Sequence, residues 1–417
     1  MASIAIVGSG IAGLYSGWRL AKNHQVTLYE SQDRLGGHTD THIFTTCTGK
    51  VAVDSGFIVF NQAHYPLFSK MLDDLGVASQ PSVMSFSMLD ERTGMEYCAS
   101  PSPSTLFARR ANWISPAFFR MLGDIRRFYI EARQCRTTLD DRLTLGEFLD
   151  QRAYSREFAE WHLLPMAGAL WSASNHQVRD YPMRYLLAFM HNHCMLQFRG
   201  RPTWRTVQGG SQRYIDALRE ATPIAFRIGD GVRRISRDHD GVAIVSDGHE
   251  ARYDAVIIAC HSDQALALLA DPSAAEKDVL GAIEYAENHV QVHCDEQVMP
   301  RRRQAWGGWN ALQEHTPNPR CAVSYHMNQL QSLPTDQDFI VSLNLSHRIR
   351  SDRVMAERYY HHPQYTPQTV AAQQRWSEIS GLRRTWYAGA YWGWGFHEDG
   401  ARSAERAVRG VSDALAA

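Results

Sequence analysis

Lysine is nearly missing from this chain of 417 residues: only Lys22, Lys50, Lys70 and Lys277 occur, so arginine supplies almost all of its 43 basic side chains. The plain reading of that scarcity is a GC-rich genome. Its chemical consequence is that any reaction needing a lysine has four positions to draw on. Excess charge of either sign is also missing, since 44 Asp+Glu balance the bases to a formal net charge of −1. A nucleic-acid footprint needs a strongly basic surface, and none is encoded. Paired cysteines are absent. Cys47, Cys98, Cys135, Cys194, Cys260, Cys294 and Cys321 are odd in number, scattered, and form no C-x-x-C. That spacing suggests neither a disulfide framework nor a zinc site, and it fits a reduced, cytoplasmic setting. Long hydrophobic runs are lacking too. Stretches such as Ala255–Cys260 fall far short of the ~18 residues a membrane span requires, and no basic, signal-like segment precedes the strand-like Ile4–Val7. What remains is the 44% hydrophobic composition of a folded chain, long enough for two or three domains of roughly 100–200 residues.

The chain opens as a βαβ unit. Ser3–Val7 is apolar and β-branched, Gly8–Gly13 is a turn, Leu14–Lys22 is helical, and Gln25–Glu30 is a second strand ending in an acid. A second α/β stretch at about 206–270 carries strand patterns at Ile224–Ile228, Val232–Ile235, Val242–Val245 and Ala255–Ala259. Between them, 77–205 holds a Pro/Ser linker, Ser100–Ser104, and Arg- and aromatic-rich helical patterns at Phe118–Arg133 and Leu145–His162. Residues 273–375 mix short strands, Val290–His293 and Phe339–Leu345, with turns at Thr316–Pro319 and His362–Pro367. The end returns to α/β texture, with a strand over Thr385–Tyr391, a Gly/aromatic turn and a helix over Glu398–Ala416. These patterns predict an α/β fold. Segments 1–76, 206–272 and 376–417 form a discontinuous, Rossmann-like binding domain, and 77–205 and 273–375 form an inserted α+β substrate or cap domain.

Gly8-Ser9-Gly10-Ile11-Ala12-Gly13 follows a strand, opens a helix and lies 17 residues before Glu30. The glycines permit a tight turn and a close backbone approach to a pyrophosphate, which the helix N-terminus attracts. Glu30 would accept hydrogen bonds from ribose hydroxyls and would repel a 2′-phosphate. Ser31 follows it at the same edge. The continuation Arg34-x-Gly36-Gly37-His38-Thr39 has no use in a simple nicotinamide dehydrogenase. A longer dinucleotide, FAD, would need that second close approach of backbone.

This extended spacing resembles the superfamily of flavin-containing amine oxidases, protoporphyrinogen oxidases and phytoene desaturases. That family's pattern has arginine where this chain has His38, which weakens the phosphate and ribityl contact there. Asp54-Ser55-Gly56-Phe57-Ile58-Val59 resembles the family strand that passes the flavin ring, Val232-Arg233-Arg234-Ile235 the strand whose first residue pairs with adenine, and Ala259 ends a strand at the cofactor. Gly389-Ala390-Tyr391-Trp392-Gly393-Trp394-Gly395-Phe396-His397-Glu398-Asp399-Gly400 resembles the turn and helix start that face the flavin pyrimidine. Ala390 stands where many members carry Asp. Longer blocks, Asp54–Asn61, Phe189–His193, Gly200–Ser211 and Gly395–Gly400, look like the FAD-dependent oxidoreductases that form the N-terminal half of plant cyclopropane fatty acid synthases. The resemblance implies an FAD enzyme connected with fatty acyl modification, and a cyclopropane-fatty-acid-synthase-like methyltransferase as a partner.

Many amine-oxidising members of that superfamily use a lysine from the second half of the chain to hold a water at flavin N5. Here only Lys277 is available, and it sits in a polar, loop-like stretch, Asp271–Asp278. Tyr391, Trp392, Trp394 and Phe396 are candidates for aromatic walls suited to a lipid chain or neutral substrate. His193 is the candidate acid/base, because imidazole titrates near neutrality. His397 is a non-covalent flavin contact, and no cysteine follows Cys321 to form a cysteinyl link there. Neither His191/His193/Cys194 nor His361/His362 has zinc spacing, so no metal is expected. The segment Thr105–Arg133 mixes Phe107, Trp113, Phe118 and Phe119 with arginines. That is the composition of an amphipathic lid helix or of a phospholipid-facing one, so peripheral membrane contact is compatible with it. The expected reaction is hydride transfer to flavin N5 from an unsaturated or modified acyl chain. The alternatives are a redox-neutral fatty acid isomerase, a true amine oxidase, and an FAD-binding partner of a lipid methyltransferase.

Overall fold

Alternation along the first strand decides the architecture. Ile4 and Ile6 enter one apolar cluster while Ala5 and Val7 enter another, and the same split recurs at Leu28 against Tyr29 and at Ile257 against Ile258. A sheet whose strands bury both faces must be covered on both sides. In the computed structural model, which describes residues 1–100, 102–135, 138–316 and 320–416, it is. The sheet has five parallel strands in the order Thr385–Tyr387, Ala255–Ile258, Ser3–Val7, Gln25–Glu30, Ala225–Ile228. Helices Ile11–Leu20 and His397–Ala416 cover one face through Leu14, Tyr15 and Trp18 of the first and Ala401, Ala404 and Val408 of the second. An antiparallel meander, Val232–Arg237, Val242–Ser246 and Glu250–Tyr253, covers the other.

The remaining strands build a second, seven-stranded mixed sheet. Its order is Val354–Pro363, Tyr285–His293, Ile340–Leu343, Val323–His326, Trp309–Gln313, Phe86–Asp90, Met95–Ala99. Strands from 77–205 and from 273–375 thus hydrogen-bond to one another, joined by the parallel pairing of Trp309–Gln313 with Phe86–Asp90. Helices from 116–192 pack against it through Phe118, Phe128, Phe148, Leu187 and Phe189. The tie between the meander and the C-terminal strand is polar. Arg237, fully buried, donates to both oxygens of Glu276, and the Tyr387 hydroxyl donates to the same carboxylate at 2.6 Å.

Three local expectations need correction. The helical pattern Leu145–His162 is broken: a helix ends at Gln151, Ser155 caps a new start by accepting from the Phe158 N–H, and Ala159–Leu163 widens into a π-turn. Pro165 follows two residues later and has no N–H to contribute to a regular ladder. The strand begun at Thr385 stops at Tyr387, because the chain turns through a 3₁₀ segment at Ala390–Trp392. Lys277 lies in a helix, Ala274–Gly281, which a capping box between Ser273 and Glu276 starts. Of the linker Ser100–Ser104, Pro101 lies outside the described residues, as do Pro317–Pro319 of the turn at Thr316–Pro319.

Candidate active site

The cofactor-side residues converge on the carboxyl edge of the five-stranded sheet. Gly8 adopts φ +101°, and a Cβ there would lie 3.0 Å from the Cys260 nitrogen, against the Ala259–Cys260 backbone. At Gly13 a Cβ would lie 1.9 Å from the Gly8 carbonyl oxygen, so the turn closes only without a side chain. At Gly10 a Cβ would meet nothing within 4 Å. Gly10 is also the helix N-cap and offers no side-chain cap, so the first N–H groups of Ile11–Leu20 have no side-chain acceptor there. An open backbone face at an uncapped helix N-terminus is a place for an anion. Glu30 stands at the edge of this space, its Oε2 accepting from the Ser9 N–H at 3.0 Å and its Oε1 from the Gln32 N–H at 2.9 Å. Ser31 lies beside it, against Gly231 and thus next to Val232 at the start of the meander.

The second glycine pair folds onto the first. A Cβ on Gly37 would lie 3.0 Å from the Gly10 Cα, and the Gly36 N–H donates to both oxygens of Ser9. Arg34 braces this turn by donating to the carbonyls of Thr39 at 3.0 Å and Gly37 at 2.9 Å. Gly56 crosses just beneath it: its Cβ would lie 1.9 Å from the His38 oxygen, which accepts from the Phe57 N–H. Ile58 points instead into the apolar cluster of the seven-stranded sheet.

His38 is buried among other imidazoles. Its ring lies 5.8 Å from that of His261, 5.4 Å from that of His362 and 4.9 Å from the ring of Tyr360. Burial, with the charge of Arg34 nearby, pushes its imidazole down to about 3, and His362 and His261 are pushed to about 3 and 4. A neutral His38 supplies no cation where the resembling family has arginine. Its Nε2 is buried without a partner.

The C-terminal turn sits opposite. Gly400 touches Ile11, since a Cβ there would lie 2.6 Å from its Cγ2, so the N-terminal turns of the two long helices meet. Ser403 accepts from the Gly389 N–H at 2.8 Å, and Ala390 packs near Gly400. His397 stacks on Phe57 at 3.4 Å between centroids and its Nε2 reaches Thr39 Oγ1 at 3.0 Å. Glu398 accepts from the backbone N–H groups of Leu67 and Phe68, and so caps the helix Pro66–Asp74. Asp399 accepts from the Phe396 N–H at 3.1 Å, and burial raises its carboxyl to about 7.

The catalytic candidates do not share one surface. His193 packs on Phe189 at 4.1 Å, with Phe396 at 5.8 Å and Trp394 at 6.1 Å. Its Nδ1 lies 3.1 Å from the Phe189 carbonyl oxygen. A carbonyl only accepts, so Nδ1 carries the hydrogen and Nε2 keeps its lone pair. Burial lowers this imidazole to about 4 and keeps it neutral at pH 7. Tyr391 and Trp392 instead pack into the cluster on the meander side, with Ile258 and Tyr387. The aromatic wall beside His193 is therefore Trp394 and Phe396, extended by Phe189, Tyr185 and Trp171. Trp171 and Tyr185 also fasten the turn, donating to the carbonyls of Trp394 and Gly393 at 2.9 and 2.8 Å.

Residues 11–328 match the flavin containing amine oxidoreductase family, well over half of the chain. The chain belongs to that family. The protein is thus an FAD-dependent oxidoreductase of the amine-oxidase type, with the α/β fold expected. Its fold is similar to that of the CLA-producing fatty acid isomerase from P. acnes, with TM-score 0.70, 15% identity and 98% of each chain covered. It is likewise similar to cyclohexylamine oxidase from Brevibacterium oxydans IH-35A, with TM-score 0.69, 15% identity and 100% of each chain covered. A third similar structure is putrescine oxidase bound to putrescine, with TM-score 0.69, 13% identity, and 100% of this chain and 99% of that chain covered. At these identities the likeness is one of fold.

The residues present fit this flavoenzyme family's cofactor. The open face at Gly10, the uncapped helix start and the orphaned Nε2 of His38 offer contacts that the protein itself leaves unused. All four lysines, by contrast, are exposed at the surface. Sequence reasoning missed His261, His362 and Tyr360, which three separate segments bring to His38, and it missed Tyr185 and Trp171. The doublet His361-His362 was visible, but weighed only for zinc. Among the described residues no three His, Cys, Asp or Glu side chains are grouped to hold a metal ion, and no helix is long and apolar enough to cross a membrane.

Proposed function

We propose that this flavoenzyme acts on an apolar, acyl-type substrate. The observation that carries the reading is the wall beside His193, which is built from Trp394, Phe396 and Phe189 and presents an apolar surface suited to an acyl chain. The two carboxylates of the adjoining turn are engaged elsewhere, Glu398 on Leu67 and Phe68 and Asp399 on Phe396. Segments 1–76, 206–272 and 376–417 would hold FAD: Gly8–Gly13 and Gly36–His38 along the diphosphate, Glu30 and Val232 at the adenosine end, and Gly389–Gly400 at the ring. Segments 77–205 and 273–375 would face the substrate. When bound, FAD supplies a two-electron acceptor for hydride.

The chain's own part is orientation and dryness. Aromatic side chains exclude water and hold a chain flat by apolar contact. His193, neutral and with Nε2 available, can take a proton from a substrate carbon or hydroxyl. Tyr391 and Trp392 back the turn from the far side and shape it without touching substrate. A second reading is a redox-neutral isomerisation in which hydride is returned to the same chain, a reaction class that the shared fold accommodates in the fatty acid isomerase. A methyltransferase partner rests on the sequence resemblance alone.

Anaerobic mixing of the FAD-loaded protein with unsaturated and cyclopropane acyl lipids tests the reading. Bleaching of flavin absorbance supports oxidation; an isomeric product with no acceptor consumed supports isomerisation. A flavin indifferent to every acyl lipid but bleached by polyamines or aromatic amines would overturn both.

A further inference from the structure

The helix Pro116–Cys135 is a packed element for most of its length, burying Phe118, Met121, Ile125, Phe128 and Tyr129. Its N-terminal tip is not. The short 3₁₀ turn Arg110–Ile114 and the first turn of that helix hold Ile114 84% exposed, Trp113 55% and Phe119 48%. Soluble surfaces scatter single apolar side chains, but three large ones together mark a contact site.

This tip is built, not frayed. Asn112 in the middle of the turn is fully buried and donates Nδ2 to the Glu96 carbonyl at 3.1 Å. Phe107 stacks face to face on Trp113, with centroids 3.9 Å apart and planes 17° apart. The fold thus uses buried polar and aromatic contacts to hold two apolar side chains out in water. The stretch of chain that carries the tip is basic, although Arg120, beside Phe119, is paired with Glu157. No acidic residue occurs between Glu96 and Asp124, while Arg109 and Arg110 precede the tip. Arg301 is exposed on the same edge, whereas Arg302 pairs with Glu96 beneath Asn112 and Arg303 pairs with Asp338 and Glu296.

We propose that this tip is a docking surface for an anionic phospholipid membrane, with Trp113, Ile114 and Phe119 entering the acyl boundary and Arg110 and Arg301 meeting headgroup phosphates. An apolar wedge flanked by Arg109, Arg110 and Arg301 matches an interface that is apolar within and negative at its surface. The same apolar cluster runs inward from Phe118 to Phe189, beside the wall at Trp394 and Phe396. The docking stands whatever the substrate proves to be, because it is read by binding alone.

The test sediments the FAD-loaded full chain with vesicles of three parts phosphatidylcholine to one part phosphatidylglycerol, and with phosphatidylcholine alone. The expected result is binding to the mixed vesicles, weakened about tenfold or more by Trp113→Ser with Ile114→Ser, by Arg110→Glu with Arg301→Glu, and by raising the salt to roughly 1 M. Melting and flavin absorbance check that each variant is folded; if the apolar pair fails to fold, the arginine pair and the salt series decide. Absence of vesicle binding overturns the proposal, and so does equal binding by a folded variant or by neutral vesicles. Self-association in solution that the apolar pair abolishes, without vesicle binding, also overturns it, and makes the tip an interface between copies of the chain.

Discussion

Alanine at Gly10 and alanine at Gly13 should separate cofactor binding from folding. Gly10 has φ −62°, open to any residue, and its methyl would meet no protein atom within 4 Å. Two small effects act on the apoprotein. Reduced chain freedom in the unfolded state favours Ala by about 0.4–1 kcal/mol, and the poorer N-cap disfavours it by a similar amount. The apoprotein should therefore melt within about 2 °C of wild type. The same methyl would stand in the layer through which the backbone approaches a diphosphate. Displacing the phosphates breaks charge-assisted N–H bonds worth about 1.5–3 kcal/mol each, so losing one or two weakens FAD binding by roughly ten- to ten-thousandfold. At Gly13 the methyl carbon would lie 1.9 Å from the Gly8 oxygen, and both atoms belong to the backbone of one turn. Relief requires shifting that turn by more than 1 Å, at the upper end of overpacking costs, about 3 kcal/mol or more. The assay titrates FAD into deflavinated protein by fluorescence quenching and follows melting of the same sample without cofactor. Gly10→Ala should lose FAD and keep its melting point, while Gly13→Ala should lose both. A Gly10→Ala protein that binds FAD within threefold of wild type would refute the placement of the diphosphate.

His193→Asn keeps a donor near the Nδ1 position and deletes Nε2, so flavin reduction by substrate should slow about 10²–10⁴-fold, with FAD affinity and melting unchanged; stopped-flow reduction decides, and an unaltered rate removes His193 from the chemistry. Acid should destabilise the apoprotein from about pH 6.5 downward. Burial depresses His38 and His362 to about 3 and His193 and His261 to about 4, so the unfolded chain takes up protons that the folded one refuses. Asp54 and Asp399, raised to about 6 and 7, act oppositely, because the folded state keeps their protons as pH rises from 4. Four imidazoles outweigh two carboxyls, and the net loss between pH 6 and 5 should be roughly 2 kcal/mol or more; a melting point that rises toward pH 5 would contradict this. Arg237→Met leaves the Glu276 carboxylate buried without its cation and should cost about 3–5 kcal/mol in denaturant melts, only partly recovered by adding Glu276→Leu, which also removes the cap at Ser273 and the acceptor of the Tyr387 hydroxyl.

What could be read from the chain divides by the range of the interactions. The glycine turn was legible because its constraints are local: Gly8, Gly10 and Gly13 serve one strand, one turn and one helix, and Glu30 ends the adjacent strand. The strand Ser3–Val7 was legible for the same reason, as a short apolar, β-branched run, although its burial on both faces shows only in the sheet. The break within Leu145–His162 was not, because Ser155 and Pro165 speak only to their own turns while apolar spacing runs straight across them. Lys277 was misplaced by its polar neighbours, although Ser273 and Glu276 carry the spacing of a capping box. His38, His261 and His362 show the limit most clearly. They come from a loop, a strand end and an insert more than a hundred residues apart, and each imidazole has its environment set by the other two. No local pattern marks such a group. It forms only when the Val354–Pro363 strand of the second sheet docks against Gly56, with Tyr360 bonded to Ser55 at 3.0 Å. Four lysines in a sequence only limit the options. In the structure all four are exposed at the surface, and beside the C-terminal turn stand Trp394, Phe396 and the neutral imidazole of His193.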